Sequence, residues 1–323
     1  MPHRADEPAM DPATLKLIVV STLTAGLASL AALLAAWWPT PAPRALAGAP
    51  QRPVPGFRAL APAAILVLCA TALYPMVFQT ALPDFPPARG RFAPPYAALA
   101  ASLGAVLWLG SGWCKPTIKA IVRTIVAIAL AALVIFLVLH NQLAAADGWS
   151  KWWPLVACSL VLQATMGTGL VTVARRQGPA RASVVFVVAF ATSQILVLGY
   201  HSISECIMAS ALCAAVGGLF VASLLRPAAT LGAPGALVLT ALLSTLLLQG
   251  AAFGVSDMPW RLLFAVAVTI APWCALLAEA AARSMGIRTP WARTAALLAG
   301  AAIPALGAVG VAGKLYMADA SAY

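Results

Sequence analysis

The stretch Ser183–Leu225, SVVFVVAFATSQILVLGYHSISECIMASALCAAVGGLFVASLL, carries one formal charge, Glu205. A helix crossing a hydrocarbon core of about 30 Å needs about 20 apolar residues. The stretch is therefore too long for one crossing and suits two laid end to end. The polar group Tyr200-His201-Ser202 divides it. Beyond that break, Ser202-Ile203-Ser204-Glu205 has the spacing of a capping box, which opens a new helix. The expected spans are Ser183–Tyr200 and Ile203–Leu225.

Working outward, the same reading gives eight more spans: Leu15–Trp38, Ala59–Leu82, Pro94–Cys114, Thr117–Leu143, Trp152–Ala174, Gly235–Phe253, Trp260–Ala282 and Ala292–Ala312. The third is the shortest in apolar content, with Gly110-Ser111-Gly112 near its end. Ten helices leave only short loops. The expectation is an all-α, polytopic transmembrane bundle, one integral membrane domain over residues 1–323. Composition agrees. Of the 323 residues, 62% are hydrophobic and 9% charged, with a mean hydropathy of +0.93. A soluble domain carries roughly 25% charged residues. In helix count alone, the chain resembles the five-plus-five inverted-repeat transporters such as the drug/metabolite transporter superfamily.

Charge sets the expected orientation, because cytoplasmic loops collect Lys and Arg. If loops 1, 3, 5, 7 and 9 face the cytoplasm, they gather Arg44, Arg52, Arg58, Lys115, Lys119, Arg123, Arg175, Arg176, Arg181, Arg226, Arg283, Arg288 and Arg293, thirteen of the 20 basic residues. Eight of the nine acids then lie outside: Asp6, Glu7, Asp11, Asp84, Asp147, Glu205, Asp257 and Asp319. Both termini are expected outside. The net charge of +11 is thus a topology signal, and no nucleic-acid partner is expected. Trp and Tyr fall at the same boundaries, with Trp273 the exception near the middle of its span. Fifteen Arg against five Lys, with abundant Ala, point to a bacterial inner membrane. Ala45-Leu46-Ala47 looks like a signal-peptide cleavage site, but the apolar stretch before it exceeds the usual about 7–15 residues, so an uncleaved first helix is expected.

The candidates for chemistry are few. Glu279 is the one carboxylate clearly inside a span, four residues before Arg283. It reads as an interfacial ion pair or as a proton-coupling group. Uncharged polar residues gather in the fifth, sixth and eighth spans: Gln163, Thr165, Thr168, Thr192, Gln194, Ser244 and Gln249. Such groups line solute paths and also glue helices together. Pro75, Pro272 and Pro304 interrupt helices, as in many transporters. His140 and His201 end two helices on one side and form a haem or metal candidate, with Glu205 as a third ligand. Otherwise no cofactor is expected. Six cysteines include no CxxC pair and read as small apolar residues. HExxH, GxSxG and Walker A motifs are absent, and no catalytic residue is assigned. A membrane enzyme could use outer-loop Asp147, Asp257 and His201 together, but nothing in their spacing requires it.

Three functions follow as expectations. The first is a transporter or permease for a small neutral or amphipathic solute, with its site between the fifth, sixth and eighth spans. The second is a subunit of a larger membrane complex, docking through the Ala-rich tenth span. The third is a redox or metal protein using His140 and His201.

Overall fold

In lipid a backbone must satisfy its own hydrogen bonds, and an apolar chain does so by closing i→i−4 bonds within each segment. This chain does it ten times. The computed structural model describes residues 12–37, 56–78, 85, 87, 92–145, 148–175, 178–253, 258–287 and 289–321. The helices are α1 (Pro12–Trp37), α2 (Gly56–Phe78), α3 (Pro94–Gly110), α4 (Pro116–Leu143), α5 (Gly148–Ala174), α6 (Pro179–Leu198), α7 (Ile203–Leu225), α8 (Gly232–Phe253), α9 (Met258–Ser284) and α10 (Pro290–Ser321). No strand occurs among the described residues. Nine of these helices are long and apolar enough to cross a membrane, and α2 adds the shorter apolar segment Arg58–Ala72. The protein is a polytopic helical bundle.

Most helix starts follow a proline. Pro94, Pro116, Pro179 and Pro290 open α3, α4, α6 and α10, and Pro259 is the second residue of α9. A proline in the first turn loses nothing, since its missing N–H has no intrahelical acceptor there. The break within Ser183–Leu225 is made by His201, whose left-handed backbone (φ 56°) reverses the chain. Histidine is among the non-glycine residues that tolerate this region. The Ser202 amide then returns to the Leu196 carbonyl at 2.8 Å. That bond changes the expected capping box. With its amide taken, Ser202 uses its hydroxyl to donate to the Glu205 carboxylate, and Ser204 donates to the same oxygen at 2.7 Å.

Two ends differ from expectation. The third span stops as an α-helix at Gly110 and turns through a 3₁₀ segment, Ser111–Trp113. The tenth runs on to Ser321, past the end of its apolar stretch.

α8 is the centre. It packs against α2, α3, α5 and α4 and is almost wholly buried. On one side α6 joins α7, α10 and α9, and α1 lies on α7. On the other, α3, α4 and α5 line up around α8. Packing of α6 on α10 is extensive, whereas α1 and α5 share no substantial contact among the described residues. The neighbour pattern is thus not that of a five-plus-five repeat.

Lipid gives helices no hydrophobic reason to associate, so close backbone approach does the holding. At the α1–α7 crossing, a Cβ on Gly218 would lie 2.7 Å from the Gly26 carbonyl oxygen. At the α5–α9 crossing, Gly169 faces Pro272 and Trp273, and a Cβ there would lie 2.9 Å from the proline ring. This explains the tryptophan at mid-span. Trp273 Nε1 donates to the Thr165 carbonyl at 2.9 Å, so its polar edge is satisfied by the neighbouring helix. Four alanines of α10, Ala301, Ala305, Ala308 and Ala312, are buried where α10 meets α6 and α9, while Ala295 and Ala299 are exposed. Its outward face carries Ile303, Leu306 and Met317.

Candidate functional site

Among the described residues a groove of about 760 Å³ lies between α4 and α5, floored by α8 and closed at one end by Trp108 of α3. Its walls are apolar, with Ile128 and Leu130 from α4 and Leu160 and Val161 from α5. The floor is Leu237, Thr240 and Ala241. Ile128 and Val161 are about 60% exposed (61% and 65%), so the groove opens sideways, where lipid would lie. Gly167 permits this shape, since a Cβ there would press on the Thr240 methyl at 3.3 Å. Volumes of about 300–1,000 Å³ with apolar walls and few polar groups are typical of ligand sites.

Polar atoms are sparse and placed at two levels. At mid-depth stands Gln163, buried at 8% exposure, whose Nε2 makes no hydrogen bond among the described residues. It borders both the groove and a second space of about 30 Å³ between α5, α8 and α9, where the Ser244 hydroxyl is likewise unbonded. Buried amides and hydroxyls without partners cost about 1–3 kcal/mol each, and both residues line this small space. Thr168 and Thr172 line the groove but spend their hydroxyls on the Ala164 and Thr168 carbonyls at 2.6 and 2.7 Å.

At the groove's basic end lie Arg123 and Arg175. Arg123 sits two turns inside α4 and is held on two sides. Its guanidinium carbon stands 4.8 Å from the Trp108 ring centroid, and its Nε donates to Ser111 Oγ at 3.1 Å. Ser111 in turn donates to the Trp108 carbonyl at 2.6 Å. The 3₁₀ turn after α3 thus makes a seat for the arginine, with a cation–π face and a hydroxyl edge. Arg175 follows the last turn of α5. That turn is fixed by the Thr230 hydroxyl, which donates to the Ala174 carbonyl at 2.9 Å. Both line the same groove, where their like charges oppose each other. Neither forms an ion pair among the described residues.

The expected residues divide. Gln163 and Thr168 line the groove, and Ser244 lines the small space beside it. Thr165, Thr192, Gln194 and Gln249 line neither. Thr165 and Thr192 bond back to their own helices at Val161 and Val188. Gln194 donates to its neighbour Ser193 at 3.4 Å. The groove is therefore walled by α4 where the sequence pointed to α6.

Glu279 receives two guanidiniums, Arg283 one turn on in α9 and Arg181 from α6. Arg181 is buried at 7% exposure. The sequence placed it outside the sixth span, but α6 begins at Pro179 and carries it inward. The triad ties α6 to α9. His140 lies against Phe136, and His201 against Tyr316 at ring centroids of 5.3 and 5.2 Å. α4 and α6 share no substantial contact, so the two histidines are not brought together by helix packing. No group of three or more His, Cys, Asp or Glu side chains suited to a metal occurs among the described residues. Asp147 and Asp257 lie outside the described residues. Tyr200, in the turn between α6 and α7, donates to the Arg261 carbonyl at 2.7 Å, and burial pushes its phenol above the usual tyrosine range. The cysteines are free, but only Cys213 is fully buried, and Cys114 and Cys158 are exposed.

No known family model matches the chain, and no curated protein matches it.

Proposed function

We propose that this protein is a permease for a small amphipathic solute and that the groove between α4, α5 and α8 is its solute site. The observation that carries this reading is the groove itself: about 760 Å³ of apolar wall converging on the unbonded Gln163 amide. A ligand with a long apolar part and a few polar atoms fits such a space. In this reading the positive residues at the groove's end support a cytoplasmic position for that end, with both termini outside and a bacterial inner membrane as the setting.

The test is uptake or flux in vesicles holding the full-length chain. Ile128→Trp fills the groove without removing a polar group, and Gln163→Ala removes the mid-depth amide. Both should cut flux while membrane insertion, checked by detergent-extracted yield, is unchanged. Normal flux in both variants would remove the groove from consideration. Membership of a larger membrane complex is the rival reading, and stoichiometric co-purification of other chains from mild detergent would favour it.

A further inference from the structure

Resting on the permease reading, we infer that the groove takes an anionic membrane lipid, with the phosphate of its headgroup between Arg123 and Arg175 and an acyl chain along α4 and α5. Three features of the site agree on this. The groove opens sideways past Ile128 and Val161, so its occupant comes from the bilayer and not from water. Its polar end carries two positive charges and, among the described residues, no carboxylate: the described acidic side chains Glu205 and Glu279 are engaged by Ser202 and Ser204 and by Arg181 and Arg283. And the Arg123 guanidinium is already oriented. Trp108 supports its face and Ser111 takes its Nε, while its Nη nitrogens, which form the outer fork, make no hydrogen bond among the described residues. A planar fork of this kind matches phosphate oxygens in pairs.

The depth is also right. Arg123 lies two turns inside α4 and Arg175 at the end of α5, a level at which long basic side chains reach headgroups while the chain above them meets acyl tails. A neutral lipid would leave the two positive charges of the groove uncompensated. A zwitterionic one would bring its own cation toward them. An anionic lipid relieves the repulsion, which makes the site selective by charge as well as by shape.

The experiment uses the full-length protein in nanodiscs of phosphatidylcholine with phosphatidylglycerol as the minor lipid. Lipid retained after gentle extraction is counted by native mass spectrometry. The wild-type chain should retain phosphatidylglycerol about tenfold above its bulk share, as expected for a pair of charge-assisted hydrogen bonds. Arg123→Gln and Arg175→Gln should each bring the ratio close to bulk. Arg175 is exposed, so its variant keeps the test valid if Arg123→Gln fails to fold. Arg226→Gln, at the same end but outside the groove, should leave the enrichment unchanged. Equal enrichment in all variants, or an equal loss in Arg226→Gln, would overturn the inference. So would displacement of the lipid by inorganic phosphate, which would make the ligand a soluble anion. The two readings fail separately. No lipid preference, with flux still blocked by Ile128→Trp, sinks the lipid and keeps the permease. Preserved preference with normal Ile128→Trp flux does the reverse.

Discussion

Arg181 and Arg123 stand at the same end of the bundle, each near the start of its helix, and they meet opposite fates. Arg181 is buried between α6 and α9 and closed off by Glu279, which Arg283 also holds. Arg123 is seated on Trp108 and Ser111, shares its groove with Arg175, and meets no carboxylate among the described residues. One corner of the molecule settles its charge internally and becomes a rivet. The other leaves two positive charges at one end of an apolar space. Charge count alone separates a structural corner from a receptive one.

The largest effect should come from unbalancing the rivet. Glu279→Gln leaves Arg181 buried without a counter-charge and is expected to lower stability by about 3 kcal/mol, read as an earlier thermal unfolding in detergent. Replacing both partners, as in Arg181→Met with Glu279→Leu, should recover most of that loss. Melting points equal to the wild type's in both variants would show that the triad holds nothing. Next comes the converse change. Thr172→Glu puts a carboxylate into the groove one turn before Arg175 and gives the open corner what the closed one has. Retention of anionic lipid should fall about tenfold, a loss of about 1.4 kcal/mol, with little change in unfolding temperature. If binding persists, the free charge is not what distinguishes the two corners.

Smaller effects sharpen the contrast. Gln163→Ala should reduce flux several-fold, since one neutral hydrogen bond contributes about 1 kcal/mol. Ser111→Ala removes the acceptor for Arg123 Nε but leaves the Trp108 face. A reduction of lipid preference of about threefold is expected, about 0.7 kcal/mol. An effect as large as that of Arg123→Gln would mean that the hydroxyl, and not the charge, sets the site.

The ten helices were legible because a bilayer imposes one length and one composition on every crossing, and because Pro and the Tyr200-His201-Ser202 break mark their ends. Where the start of the sixth helix moved, charge was the reason. A hydropathy reading starts the sixth helix at Ser183 to keep Arg181 out of lipid, but Arg181 is inside because Glu279 meets it from α9. The tenth helix outlives its apolar stretch because Leu315, Met317 and Ala318 are good helix formers in water as well. The site was half legible. Gln163, Thr168 and Ser244 stand at cavities, yet Thr192 and Gln249, of the same residue types, are packed away. A helix that is apolar all round gives no period by which to tell one face from another. Arg123 was counted for orientation alone, though a cation two turns inside an apolar helix was itself the signal.

The burial of α8 has a consequence for how the chain is made. Its principal neighbours α2, α3 and α5 are all synthesised before it, and it packs against them along nearly its whole length. While translation is still short of Gly232, the faces they turn toward α8 have no protein partner. The early helices therefore reach their final packing around α8 only after it arrives, with two of the described helices left to come.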